Sequence, residues 1–354
     1  KDTRWKTRLP NGKMIAKKRK EDLEKVIIQY YSAPLTFDDL YRHWRKFQDQ
    51  MVSDNTTYKY DTDYKRYYQD TAFSKMDITK ITEENVKVFI RTTVGRLNLC
   101  KSACKTLFGY TNNVFKSAMI NHYISENPMQ YLSPKFFYQY CTEKQKSKEK
   151  TLVLDKDMVL LCEQLQEDYK NQPEYIPSYA VELAILTGMR VGEIAALTWD
   201  SISKDGILIN KSEKYNRKTN TYFIDATKNK KERLFPMCNE ISNLLDKVKK
   251  AELQNGYICE WVFANEDGRV HAPVISSCIK NKCRQLGIEE RGIHALRKTF
   301  NSKIRNIGVA PTVAATLLGH SVEVNQKYYT FDVTSNDEKK EIVSLINENL
   351  PLAK

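Results

Sequence analysis

A chain of 354 residues exceeds what one hydrophobic core usually supports, so two or more domains are expected. Its 57 Lys and Arg against 44 Asp and Glu leave a formal charge of +13, which favours a polyanionic partner such as nucleic acid or an anionic membrane surface. No apolar run reaches the ~18 residues of a membrane span and no signal-peptide pattern opens the chain, so the membrane reading loses ground.

The basic excess is concentrated at the start, where residues 1–20 carry nine basic side chains and one acidic one. This stretch is broken by Pro10 and Gly12 and offers little to bury, so residues 1–34 are read as a basic arm or the remnant of an upstream domain. Lys1 stands where a Met would open a natural chain, and further residues upstream are therefore expected. From "LTFDDLYRHWRKF" a helix begins, with Phe37, Leu40, Tyr41, Trp44 and Phe47 as its core stripe and Arg42, Arg45 and Lys46 on a solvated face. A second helical run puts Tyr60, Tyr64 and Tyr67 on one side, interleaved with Lys59, Lys65 and Arg66; packing is the commoner use of that spacing, and lining nucleic acid the alternative. Helices continue to Asn127-Pro128, where proline disfavours another turn. His43 and His122 sit among aromatic neighbours and are assigned no role.

Residues 35–141 thus form a helical domain, and 142–151, with "TEKQKSKEK", a basic linker whose Lys144, Lys146, Lys148 and Lys150 are candidate DNA contacts. From Thr151 the chain turns apolar and helical, then passes three strand-like runs, "GILIN", "TYFIDAT" and "ERLFPM", and returns to helix. The fold class expected is mainly α, with a helical first domain and an α-rich second domain, 152–335, containing a small antiparallel three-stranded sheet. Residues 336–354 complete the chain as a tail helix: Ser335-x-x-Glu338 reads as a capping box before an apolar stripe of Ile342, Leu345 and Ile346. That stripe fits packing on its own domain and docking on a neighbour equally well.

Eight cysteines, dilute and without a Cys-x-x-Cys pair, read as reduced thiols rather than a disulfide framework. Cys100 and Cys104, one helical turn apart, suit small buried positions, and Cys278 and Cys283 lack a His or Cys partner at zinc spacing.

The second domain gathers reactive residue types. Arg190 follows Gly188 in "LTGMRVGE", at the start of a new helix where anions are favoured. Lys228 lies in the turn of "ATKNKKERLFPM", beside Lys230, Lys231 and Arg233, which in isolation read as a solvated charge run. His294 and Arg297 share one helical face in "HALRKTF", and His320, Tyr328 and Tyr329 follow in "LLGHSVEVNQKYYTF". Guanidiniums fit two non-bridging phosphate oxygens at once, and a phenol of pKa near ~10 needs a neighbour such as imidazole to act as a nucleophile.

These four segments, in this order and with these gaps, resemble the tyrosine recombinases, or phage-type integrases, over 151 to about 335, and residues 35–140 resemble that family's core-binding domain. The resemblance implies that Arg190 and Arg297 clamp the scissile phosphate and that Lys228, eight residues before Pro236, protonates the departing 5′-oxygen, with Lys230 a possible substitute. It further implies that His294 is the general acid/base and His320 a second phosphate contact, and that Tyr329, nine residues beyond His320, is the nucleophile in preference to Tyr328. The implied reaction passes through a 3′-phosphotyrosyl bond and a Holliday junction and needs no metal or nucleotide cofactor. Its implied partners are double-stranded DNA, a homotetrameric synaptic complex and a directionality factor, with no membrane, in the bacterial cytoplasm at the nucleoid.

The basic start is similar to integrases of conjugative transposons and temperate phages, which carry an arm-binding domain upstream, and this favours integration and excision of a mobile element. A Xer-like resolvase or invertase, a type IB topoisomerase-like enzyme, and a DNA-binding regulator without chemistry are the alternatives. His294 and the helical first domain favour the recombinase.

Overall fold

The computed structural model describes residues 4–9, 14–32, 34–143, 151–227, 231–331 and 336–348. The chain divides into two compact units, residues 1–144 and 145–354. Lys144, Lys146, Lys148, Lys150, Lys228, Lys230 and Ser335 lie outside the described residues.

In the first unit the basic opening forms an antiparallel hairpin, β1 (Trp5–Arg8) and β2 (Met14–Lys17), followed by helix α1 (Lys20–Ser32). The helices after it are α2 (Phe37–Asp49), α3 (Asp54–Tyr67), α4 (Glu83–Arg96) and α5 (Lys101–Ile120). Thr36 starts α2 with a capping box: its hydroxyl accepts from the Asp39 amide at 3.2 Å, and Asp39 Oδ2 accepts from the Thr36 amide at 3.0 Å. Thr82 and Asn85 repeat the device at α4.

The core between these helices is largely aromatic. Phe73 and Phe89 stack with centroids 4.1 Å apart, and Phe37 lies 5.3 Å from Tyr68, contacts each worth about 0.5–1.5 kcal/mol beyond area burial. Tyr67 is buried and Tyr60 and Tyr64 pack against the same cluster, so the tyrosine stripe of α3 is core. Two expectations for α2 are corrected. Phe47 is 62% exposed, because it falls one turn past the covered stripe; Arg45 is buried, its guanidinium held by Asp61 at 2.9 Å and by Asp49.

The second unit opens with α6 (Asp155–Asn171) and α7 (Pro177–Thr187). Eight of the eleven residues of α7 are buried, because α6, α9 (Asn239–Asn255), α10 (Ala272–Gln285) and α11 (Ile293–Asn306) pack around it. Between α7 and α9 come the short α8 (Val191–Ile194), then β3 (Gly206–Ile209), β4 (Lys211–Asn216), β5 (Thr221–Ala226) and β6 (Arg233–Pro236).

The single three-stranded sheet expected from sequence is instead two antiparallel ladders, β3 with β6 and β4 with β5. β4 has no counterpart among the strand-like runs of the sequence. Its segment KSEKYN is polar throughout, and the one side chain it buries is Glu213, whose Oε1 accepts from Arg269 at 3.0 Å and sits 2.6 Å from His271 Nδ1, while Oε2 accepts from the Ala272 amide at 2.8 Å. Those bonds pin the β4–β5 hairpin to the start of α10. A small ladder, β7 (Ala264–Asn265) with β8 (Gly268–Arg269), precedes α10. The chain ends in α12 (Pro311–Leu318), α13 (Val322–Tyr329) and α14 (Asn336–Glu348). No helix among the described residues is long and apolar enough to cross a membrane.

Candidate active site

Gly188 ends α7 in the left-handed region at φ +61°, where a Cβ would meet Phe300 at 2.9 Å, so the chain turns sharply there and delivers Arg190 to the N-cap of α8. Arg190 is anchored by Glu193 one turn on: Oε1 accepts from its Nη1 at 2.7 Å and Oε2 from its amide at 3.0 Å. Arg297, on α11, is 1% exposed and donates through Nη1 to Gly188 O at 2.7 Å.

The end of α12 draws the guanidiniums together. A helix leaves its last carbonyls without intrahelical partners and carries partial negative charge there. Three successive carbonyls are each claimed by a different arginine: Leu317 O by Arg233 Nε at 3.0 Å, Leu318 O by Arg297 Nη2, and Gly319 O by Arg190 Nη2 at 3.1 Å. Arg233 completes the set with a two-bond fork on Glu193, at 3.1 and 2.6 Å. Arg190 and Arg233 thus share one buried carboxylate, and the Glu193 carboxyl, though burial opposes its charge, is held down to about 2 by Arg233 and Arg190. A cavity of about 380 Å³ opens beside them, lined by Arg190, Thr227, Lys231, Arg233, Gly319 and His320.

His320 follows α12 directly, and its Nε2 accepts from Arg297 Nη2 at 2.7 Å, which leaves the ring proton on Nδ1. Burial and the guanidiniums of Arg297 and Arg190 push His320 down to about 3, so the imidazole is neutral at physiological pH. His294 is pushed down to about 4 by desolvation and by Arg297 and Lys298, and is neutral as well. Residue 294 as a whole is exposed, so solvent screens its share of the charge effect.

The Tyr329 ring lies between these groups, with its centroid 5.3 Å from that of His294, 4.0 Å from that of His320 and 5.5 Å from Arg297 Cζ. Its backbone is fixed from α11: Asn301 Nδ2 and Ser302 Oγ donate to Tyr329 O at 2.9 and 3.2 Å, and Asn325 Nδ2 donates to Asn301 Oδ1 at 2.6 Å. One helix therefore carries His294 and Arg297 and also holds the segment bearing the phenol.

Depressed histidines make a stability prediction. Both fall below the ordinary 6.5, so the unfolded chain takes up protons first, and stability present above about pH 6.5 is lost as pH falls toward 4 and then 3. Thermal unfolding of the wild type is expected to shift downward on acidification from pH 7 to 5, and His320→Gln to flatten that slope; an unchanged slope would contradict the assignment of His320 as neutral.

Of the residues singled out from sequence, the structure brings together Arg190, His294, Arg297, His320 and Tyr329, and places Thr227 and Lys231, which flank the segment of Lys228, at the same cavity. Of Tyr328 the backbone alone is described, at the end of α13. Sequence reasoning missed Glu193, Arg233, Asn301 and Asn325. A carboxylate three residues after Arg190, on the same helical face, is a signal for the first; the others give none, since their partners lie in other elements.

Fixed guanidiniums in this geometry match the non-bridging oxygens of a phosphodiester, an uncharged imidazole can accept a proton, and a phenol beside it is a candidate nucleophile. The class so defined is a strand transferase working through a tyrosine. The phage integrase family model matches residues 153–334, just over half of the chain. A tyrosine recombinase XerC-like protein of Caldanaerobacter subterraneus subsp. tengcongensis is 24% identical over 379 aligned residues, covering 96% of this chain and 93% of that one. The fold is that of the Tn1549 transposon integrase solved with transposon right end DNA, with TM-score 0.71 at 17% identity over 88% of this chain and 100% of that one. It is also that of the lambda integrase solved as a tetramer on a Holliday junction, with TM-score 0.57 at 14% identity over 94% of this chain and 97% of that one. The chain belongs to the phage integrase family and is a tyrosine-type site-specific DNA recombinase.

Proposed function

We propose that the protein integrates and excises a mobile element, with Tyr329 attacking the scissile phosphate held by Arg190 and Arg297. The observation that carries the chemical part is the seat of the Tyr329 ring against His294, His320 and Arg297 of its own chain. His294 takes the phenolic proton, His320 supports a phosphate oxygen alongside Arg297, and Lys228 protonates the departing 5′-oxygen. The phosphotyrosyl bond conserves the diester's energy, and a 5′-hydroxyl from a partner duplex reverses the step, so neither metal nor nucleotide is called for. Stabilising the extra phosphate charge is the main task, and each preorganised donor is worth about 2.7–4 kcal/mol there.

The likeness to the transposon integrase, together with the basic β1–β2–α1 segment before the helical domain, supports the mobile-element reading over that of a Xer-like resolvase. The XerC-like relative, matched over 96% of this chain, favours the resolvase as second reading. In our reading residues 1–34 are an arm or the remnant of an arm-binding domain, 35–141 the core-binding domain, 142–151 a basic linker, 152–335 the catalytic domain and 336–354 a tail that docks on a neighbouring protomer. The lambda enzyme's tetramer supports a tetramer on DNA here, and a directionality factor would bias excision.

A nicked suicide duplex separates the readings. Covalent capture of the duplex followed by strand exchange with a second site is expected; capture without exchange would indicate a topoisomerase-like enzyme, and no capture a regulator. Replacing Lys144, Lys146, Lys148 and Lys150 with Ala is expected to flatten the salt dependence of DNA binding, measured by fluorescence anisotropy. The log–log slope should fall by up to about 0.9 for each phosphate that is no longer neutralised. An unchanged slope would place the linker off the phosphates.

A further inference from the structure

Arg233 has no role in the chemistry described so far, yet it is built into the site more firmly than Arg190. Its side chain is 8% exposed against 27% for Arg190. Its Nε is seated on Leu317 O, its two terminal nitrogens fork onto Glu193, and it lies so close beneath Gly319 that a Cβ there would meet its Nη1 at 2.9 Å. Gly319, at φ +63°, is where α12 ends and the chain turns to His320.

The consequence is electrostatic. Glu193 is 1% exposed and cannot turn to water, so its charge must be met by whatever cations reach it. Paired with Arg190 alone, it would form a neutral couple, and a phosphate arriving at Arg190 would compete with a buried carboxylate 2.7 Å away. With Arg233 bound by both oxygens, the trio carries a net positive charge. Arg190, the more exposed member, meets the carboxylate through Nη1 and Gly319 O through Nη2, one bond from each two-proton nitrogen, and lines the cavity where a ligand would sit.

We propose that Arg233 is a positioning residue for strand cleavage, which occupies the Glu193 carboxylate so that the charge of Arg190 is available to the scissile phosphate. The inference rests on the reading that Arg190 binds that phosphate. It differs from a purely structural role, in which Arg233 merely ties β6 to α12, by predicting that the harm done on losing Arg233 comes from Glu193.

The test is single-turnover covalent capture on a nicked duplex at saturating DNA, with DNA affinity measured in parallel. Arg233→Gln is expected to slow capture by about 10²-fold with less than about a threefold change in affinity, as for loss of one preorganised donor. Adding Glu193→Gln to that variant is expected to restore at least about tenfold, because the unbalanced carboxylate is gone. Arg233→Lys, which keeps the charge without the planar fork, should fall between wild type and Arg233→Gln. A double variant no faster than Arg233→Gln, or Arg233→Lys as slow as Arg233→Gln, would overturn the proposal. If Arg233→Gln does not fold, the double variant is compared with Glu193→Gln instead: a rate within about fivefold supports the proposal, because Arg233 is then dispensable once the carboxylate is gone, and any larger loss overturns it. Wild-type protein that forms no adduct at all would sink the phosphotyrosyl reading itself; wild-type capture with an unaffected Arg233→Gln would sink this inference alone.

Discussion

Tyr329→Phe is expected to reduce covalent capture of a nicked duplex by at least about 10⁴-fold, the scale on which enzymes lose activity when the nucleophile of a covalent mechanism is removed. Folding and DNA binding should survive. The substitution removes one oxygen and keeps the ring, which packs 4.0 Å from His320, and the anchoring of Tyr329 O by Asn301 and Ser302 does not involve the hydroxyl. Tyr328→Phe is the control: adjacent helical residues diverge by about 100°, so only one phenol faces a given phosphate, and capture should stay within about tenfold of wild type. Denaturing gel shift of labelled DNA reads both variants, and an adduct in Tyr329→Phe would remove this residue from the mechanism.

The second large effect is expected at Arg297, on stability and rate together. Its guanidinium closes the carbonyls of Gly188 and Leu318 and meets His320 at 2.7 Å, all inside the protein. Truncation to Ala strands two buried acceptors at about 1–3 kcal/mol each and leaves a cavity, so a loss of about 3–6 kcal/mol in unfolding free energy is expected. Capture should fall by a further 10²–10³-fold or so in whatever fraction folds, for want of a phosphate donor. Arg297→Lys keeps the charge and one donor, and should cost less on both counts. Chemical denaturation alongside single-turnover capture separates the two losses; a stability change below about 1 kcal/mol would contradict the joint role.

Much of this is legible in the sequence. Helical spacing locates α2 through α6 because each buries an apolar stripe, α7 shows as an apolar run, and Gly188 marks the turn that delivers Arg190 because glycine takes φ +61° without a Cβ to strike Phe300. Ordered motifs find the arginines, histidines and tyrosine through their resemblance to a family, since periodicity alone cannot say that residues 190, 297 and 329 meet.

What stays hidden is pairing across the chain. Arg233 follows a lysine-rich run in the sequence and reads as solvated, because Glu193, its partner 40 positions earlier, is visible only in three dimensions. β4 escapes for the same reason: a strand whose one buried residue is Glu213 has no apolar alternation to read. Arg45 belongs outside and Phe47 inside by position on the helical wheel, and each goes the other way. The carboxylates of Asp49 and Asp61 outweigh the wheel for Arg45, and Phe47 falls beyond the covered stripe.

The most direct measurement is mass mapping of the peptide that remains bonded to DNA after capture on a nicked duplex and proteolysis. Fragment ions that put the nucleotide on Tyr329 are the predicted result. A nucleotide on Tyr328, on a serine, or on no residue of this chain would contradict the account at its centre.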